Sequence, residues 1–188
     1  DEQRRAYHEA YDPDNEEYHR LRAAGKLEDG SKELEKYKYQ RFVKDYLRCV
    51  AAIDDNVGRI LDYLQENQLA ENTLVIYCSD QGFFTGEHGW NDKRWMYEES
   101  YAMPFMARWP ARVKPGQRCA ALIQNIDYAP TFLEMAGAAI PEEIDGVSLA
   151  PLLRGETPDH WRDALYYHYY EDGSYNLPQF EGASTARY

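Results

Sequence analysis

The stretch 79-SDQGFFTGEHGWNDKR-94 holds residues whose types and order could do chemistry: Asp80, Gln81, Gly82, His88, Lys93 and Arg94. Asp80 offers a hard anionic oxygen and Gln81 a neutral amide oxygen. Adjacent oxygen donors of this kind suit a hard divalent cation such as calcium or magnesium. Gly82 lets the backbone turn sharply and come close to a ligand. Two donors do not complete a coordination shell, so the rest must come from elsewhere. A plainer reading stands beside this one. An Asp at a strand end often caps the next turn, and Asp-Gln-Gly is ordinary loop chemistry. A single His between glycines commonly makes a surface hydrogen bond, and Lys93 and Arg94 are by default solvated charges. Residue types alone leave both readings open.

The elements around the stretch give it a place. From about Glu33 to Asn67 only Gly58 interrupts a helical pattern, and Tyr46, Val50, Ile53, Val57, Ile60, Leu61 and Leu64 recur at steps of three and four. That spacing predicts a long helix with an apolar stripe facing a core. A polar connection, 66-ENQLAENT-73, leads to an apolar run from Leu74 to Cys78 without alternation. Such a run predicts a strand buried on both faces, as in a parallel sheet covered by helices. Helix, loop and buried strand make half of an α/β unit. In open α/β sheets ligands bind beyond the carboxyl ends of strands, where Asp80 and Gln81 stand. Further on, 103-MPFMARWP-110 reads as the next strand, 127-DYAPTFLEMAG-137 as a helix stopped by Gly137, and 145-DGVSLAPLLRGE-156 as a loop entering a helical turn. The aromatic-rich 164-ALYYHYYED-172 reads as a strand of a separate small sheet, and 173–188 as loop. Residues 1–35 read as helical pieces joined by exposed loops.

Bulk properties exclude several classes. The 188 residues carry a formal net charge of −12, against nucleic acid as the main partner, because neutralising phosphates needs a basic face. Cations for an anionic ligand must then be concentrated locally. Cys49, Cys78 and Cys119 form no C-x-x-C pair and no disulfide framework. No run approaches the ~18 apolar residues of a membrane-spanning helix. The first residues, 1-DEQRRAYHEAYDPDNEEYHR-20, lack the apolar core of a signal peptide and read as the middle of a longer polypeptide.

The ordered elements Ser79-Asp80-Gln81-Gly82, Gly86-Glu87-His88-Gly89, Lys93, Tyr97-Glu98 and Met103-Pro104 resemble the sulfatases of the alkaline-phosphatase superfamily. The later 125-NIDYAPTFLEMAG-137 and 145-DGVSLAPLLRG-155 are similar to that family's Asp-x-x-Pro-Thr helix and Gly-x-Ser-Leu-x-Pro-Leu-Leu segment, so the likeness spans roughly residues 38–170. It implies an α/β fold with an alkaline-phosphatase-like central sheet sandwiched by helices, incomplete here. Residues 1–160 would be the C-terminal part of the catalytic domain and 161–188 the start of a small C-terminal α+β subdomain. It also implies roles. Asp80 and Gln81 match two metal ligands, for calcium first and otherwise magnesium or manganese. Lys93 matches the lysine that contacts the sulfate and its bridging oxygen, and so is the catalytic candidate. His88 and Arg94 are substrate-binding candidates. A sulfate ester gains charge on its oxygens as the sulfur–oxygen bond breaks, and a divalent cation and an ammonium both stabilise that charge.

The family's nucleophile is a formylglycine made inside a Cys/Ser-x-Pro-x-Arg motif, and none of the three cysteines sits in one. Asp54-Asp55 lies inside the predicted long helix and reads as solvated surface, not as the family's paired metal carboxylates. The formylglycine and those carboxylates are expected upstream of Asp1, with this chain alone inactive. Asp92-Lys93-Arg94 followed by Tyr97-Glu98 is similar to sulfatases acting on glucosamine-type sugars, of the N-acetylglucosamine-6-sulfatase kind, which implies a sulfated glycan or other small sulfate ester as substrate. Rival implications are a phosphodiesterase or phosphonate hydrolase of the same superfamily, and a nucleophile-less relative that binds sulfated glycans. By the same resemblance the compartment would be periplasmic, secreted or lysosomal.

Overall fold

The computed structural model describes residues 16–170 and 177–185. These residues fall into two compact units, one ending at Gly58 and the other starting at Arg59. In the first unit, α1 spans Glu16–Ala23, with acidic residues in its first turn and arginines in its last, in keeping with the helix dipole. Tyr18, Leu27 and Leu34 bury one another there, with Leu21 and Tyr37 against them. Arg22 ties the intervening turn by donating to the Leu27 carbonyl at 2.9 Å and to Asp29 at 2.6 Å. The Ser31 hydroxyl accepts the Leu34 N–H at 3.1 Å, an N-cap that satisfies one of the unpaired donors of the next helix.

That helix, α2, runs Lys32–Glu66, within a residue of the predicted span at each end. Its apolar stripe corrects an expectation. Of the predicted stripe, Tyr46, Val50, Ile53 and Ile60 are 39–56 % exposed and Val57, Leu61 and Leu64 half-buried, and Leu34 is the helix's one buried residue among those described. Periodicity specifies which face is apolar, and a cover for that face has to come from another surface. Asp54 and Asp55 are both exposed on α2, as read from the sequence.

In the second unit, Gln68 adopts a left-handed conformation (φ 57°) and Leu69 donates back to the Leu64 carbonyl at 2.8 Å, closing α2. β1, Val75–Cys78, pairs antiparallel with β4, Phe105–Arg108, in the register Val75↔Arg108 and Cys78↔Phe105. The apolar run fits a parallel sheet by its pattern, whereas its described neighbour β4, expected as the next strand, is antiparallel to it. A parallel return needs a crossover, whereas residues 79–104 fold back as a loop that carries the site. Val75, Ile76 and Tyr77 are half-buried and Cys78 is exposed, so the strand is not enclosed on both faces by the described residues.

Between these strands lie β2, Phe84–Thr85, paired with β3, Asn91–Asp92, and then the single-turn α3, Glu98–Tyr101. After β4 come α4, Tyr128–Met135, and α5, Ala150–Leu153, both where the sequence placed them. Leu149, Leu152 and Leu153 form the main core, packed on by Phe105, Tyr128, Met135 and Trp161. A buried polar knot holds this half together. Fully buried Asp127 accepts the Gln124 and Val147 backbone N–H groups at 2.8 and 2.9 Å, and a two-point contact from Arg162 that includes one bond of 2.7 Å. A side chain at Gly146 would run into the Ile126 carbonyl, which accounts for glycine there.

β5, Ala164–Tyr169, pairs antiparallel along its length with β6, Phe180–Thr185. The small separate sheet was expected, but residues 180–185 were expected as loop. Gly, Ala and Ser in that segment carry little strand propensity. The aromatic partner strand supplies what the segment lacks.

Candidate active site

β1 delivers the chain into a turn knotted by hydrogen bonds. The Ser79 hydroxyl donates to the Gln81 carbonyl at 2.8 Å. The Gln81 side-chain amide donates to both the carbonyl and the hydroxyl of Ser100, at 2.9 Å each. Gly82 N–H donates to the same Ser100 carbonyl at 2.9 Å. A Cβ on Gly82 would collide with the Glu99 and Ser100 backbone, so glycine at this position is a steric requirement. The sequence singled out Gly82 for close approach to a ligand. In the structure the close approach is to α3.

The β2–β3 hairpin carries the Gly-Glu-His-Gly element. Its backbone is unusually bent: His88, Asp92 and Arg94 have φ of 57°, 74° and 103°. Non-glycine residues in this region hold local strain that the surroundings must offset. The surroundings are aromatic. Phe84 is fully buried, with Trp90 and Tyr97 edge-on to it at 5.6 and 6.1 Å. His88 lies 4.8 Å from the Tyr97 ring, and its Nε2 meets Glu99 Oε1 at 3.2 Å. Glu87 folds back so that its carboxylate accepts the Thr85 N–H at 2.7 Å. Backbone donors, its own first and that of Thr85 next, hold its carboxyl below the usual carboxylate range.

Lys93 turns back from β3 to the strand end, where its Nζ donates to Asp80 Oδ2 at 3.3 Å. That ammonium holds the Asp80 carboxyl below the usual range even though the Asp80 side chain is 83 % exposed. The predicted site residues therefore separate into groups. Asp80, Gln81 and Lys93 converge at the end of β1. Arg94 pairs with Asp92 and His88 with Glu99.

Two features of the site were not read from the sequence. One is Ser100, 1 % exposed, which joins the Gln81 turn to the Lys93 loop by also accepting the Arg94 N–H at 3.3 Å. The other is the β5–β6 hairpin. The Tyr167 hydroxyl donates to the Arg94 carbonyl at 2.9 Å, Phe180 stacks on Trp95 at 5.5 Å, and Met96 fills the space a side chain at Gly182 would take. Tyr101 stands edge-on to Tyr167 at 5.1 Å, and burial, with Tyr167 beside it, pushes the Tyr101 hydroxyl up to about 12. Burial raises Tyr167 as well, so its hydroxyl keeps the proton it donates. Dense aromatics at 164–172 were a visible signal for this support, though their target was not.

The donor set fits a hard cation in part. Both amide hydrogens of Gln81 are engaged by Ser100, which leaves Oε1 as the free acceptor, and Asp80 adds an ionised carboxylate. No group of three or more His, Cys, Asp or Glu suited to a metal occurs among the described residues, so these are at most part of a coordination shell.

The mixed helices and strands match those of solved sulfatase structures, which places the fold in the alkaline-phosphatase-like class. Within that class the chain belongs to the sulfatases: the family "N-sulphoglucosamine sulphohydrolase, C-terminal" matches residues 86–188. An N-acetylglucosamine-6-O-sulfatase of Bacteroides thetaiotaomicron is 51% identical over 142 residues, 74% of this chain and 25% of that protein. The solved structure of BT4656 in complex with its substrate D-glucosamine-2-N,6-O-disulfate is similar with a TM-score of 0.83 and 44% identity, covering 90% of this chain and 34% of that one. The phosphonate monoester hydrolase of Silicibacter pomeroyi is similar with a TM-score of 0.58 and 34% identity, covering 62% and 23%. The chain thus spans about a quarter of the curated relative's length. No helix among the described residues is long and apolar enough to cross a membrane.

Proposed function

We propose that the polypeptide carrying this chain is a sulfuric ester hydrolase that removes sulfate from a glucosamine-type sugar, with this chain supplying one wall of the active site. The observation that carries the reading is the convergence of Lys93 Nζ on Asp80 Oδ2 at 3.3 Å, beside Gln81 at the end of β1. In this reading Asp80 and Gln81 hold a divalent cation, calcium first and otherwise magnesium or manganese. Such a cation, when bound, stabilises developing negative charge on sulfate oxygens. Lys93 presents a point charge to the sulfate and its bridging oxygen. Asp80 fixes that ammonium in place. Arg94 and His88 stand in the same loop as substrate-binding candidates, Arg94 for a carboxylate or second sulfate of a glycan, and each would exchange its present acidic partner for the substrate. The nucleophile is a formylglycine on residues upstream of Asp1, and the protein works in the periplasm, outside the cell or in the lysosome. The glucosamine preference rests on the likeness to the Bacteroides enzyme and to the disulfated-glucosamine complex.

The test compares the 188-residue chain with the upstream-extended polypeptide on an aryl sulfate and on N-acetylglucosamine-6-sulfate. The extended protein should turn over both, and Lys93→Ala should lower kcat by about 100–1,000-fold, the range for losing one preorganised charge-stabilising donor. Turnover by the short chain above its own Lys93→Ala control would sink the division of labour proposed here. The likeness to a phosphonate monoester hydrolase keeps one rival in view. Zinc prefers nitrogen and sulfur ligands, and Gln81 offers amide oxygen. Stoichiometric zinc in the extended protein, with phosphonate ester cleaved faster than sulfate ester, would transfer the assignment to that rival.

A further inference from the structure

Resting on the reading of Asp80 and Gln81 as cation ligands, we infer that Ser100 is a positioning residue that selects which end of the Gln81 amide faces the cation. Gln81 Nε2 has two hydrogens, and Ser100 takes both, one on its carbonyl and one on its hydroxyl, at 2.9 Å each. Flipping the amide would set its oxygen against the Ser100 carbonyl oxygen, two acceptors in contact, and would oblige the Ser100 hydroxyl to turn from accepting to donating. Ser100 is 1 % exposed, so water does not replace the lost amide hydrogen. The amide oxygen is then the one Gln81 atom left to meet a ligand.

The same arrangement argues for a neutral ligand at this position. A carboxylate at 81 has no hydrogen to give Ser100 and would be repelled by its carbonyl. Asp80 then supplies the charge of this half-site and Gln81 a fixed dipole. The support behind Ser100 is also defined. Gly82 N–H and Arg94 N–H donate to the same residue, at 2.9 and 3.3 Å, so Ser100 holds the ligand turn and the Lys93 loop to one frame.

The experiment uses the full-length polypeptide with calcium alone as the probe, read by isothermal titration, and the metal-free melting point of each variant. Ser100→Ala should weaken calcium binding about 10-fold, the lower end for losing a partner behind a metal ligand. Ser100→Cys keeps the volume with a weaker acceptor and should fall in the same direction by less. In a Gln81→Ala background the Ser100→Ala change should add nothing further, because its effect runs through Gln81. Gln81→Glu should weaken calcium binding at neutral pH despite the added negative charge. Unchanged calcium affinity in both Ser100 variants would overturn the inference. So would a full Ser100→Ala effect persisting without Gln81, which marks a merely structural role, or tighter binding in Gln81→Glu. Should Ser100→Ala fail to fold, Ser100→Cys and Gln81→Glu decide. A full-length protein that binds calcium in this Ser100-dependent way yet hydrolyses no sulfate ester refutes the proposed activity and leaves this inference standing. A wild-type protein that binds no calcium refutes the inference.

Discussion

Asp80 and Lys93 form an exposed contact that is small for folding yet sets the charge and direction of two side chains at the candidate site. The pair sits at 3.3 Å with the Asp80 side chain mostly in solvent, so screening leaves it little weight in stability. Its use is to keep Asp80 ionised and to aim the ammonium. The sign follows directly. A carboxyl with a lowered pKa stays charged to more acidic pH than usual, and the contact is lost as pH falls through that lowered value. Lys93→Met should therefore raise the Asp80 pKa toward the ordinary carboxylate value, moving its protonation to higher pH. A carbon-detected NMR titration of the Asp80 carboxyl in metal-free protein reads this, and an unmoved midpoint would show that Lys93 is not its partner in solution. Asp80 and Gln81 stood out in the sequence as oxygen donors after a strand, with a plain loop reading beside them, and Lys93 was singled out by the family resemblance rather than by its type. Ser100 was not, since a serine in Tyr-Glu-Glu-Ser has no type-level signal and its role depends on the backbone that faces it.

Helices and strands show the same division between local and long-range information. α2, α4, α5 and β5 lie close to their predicted spans, because each is signalled by spacing, a cap or a stop within its own residues. β6 and the antiparallel β1–β4 pairing were missed, because both depend on a partner distant in the chain. The Asp127 knot lies between these cases. Asp127 was read only as the start of a helix, while the structure adds a buried ion pair with Arg162 and the tether to Val147. Removing one member of such a pair strands the other charge, at a cost of about 3–5 kcal/mol. Asp127→Ala should lower the urea midpoint by a corresponding amount, whereas Asp127→Asn, which keeps an oxygen acceptor, should lose less. Equal midpoints for Asp127→Ala and wild type would mean that the knot contributes nothing measurable.

At the scale of the whole chain, surface chemistry and chain order govern behaviour. On α2, Leu47, Val50, Ile53 and Ile60 are 44–56 % exposed, and exposed apolar side chains favour association. The 188-residue chain on its own should therefore self-associate at micromolar concentration in sedimentation velocity, and Ile53→Glu with Ile60→Glu should return it toward monomer. A monomeric wild-type chain would contradict this. The tie from the Tyr167 hydroxyl to the Arg94 carbonyl has a temporal meaning too. It joins residues 73 positions apart, so during synthesis the Lys93 loop waits for this hydrogen bond at least until Tyr167 has been translated. At ordinary elongation rates that interval is roughly 4–15 s, long compared with the ~1–10 μs in which a hairpin forms. Through those seconds the nascent protein holds its strand-end oxygens and its lysine on a loop tied by Ser100, without the hairpin behind it. The order of residues along the chain therefore fixes when the hairpin can add its hydrogen bond to this loop.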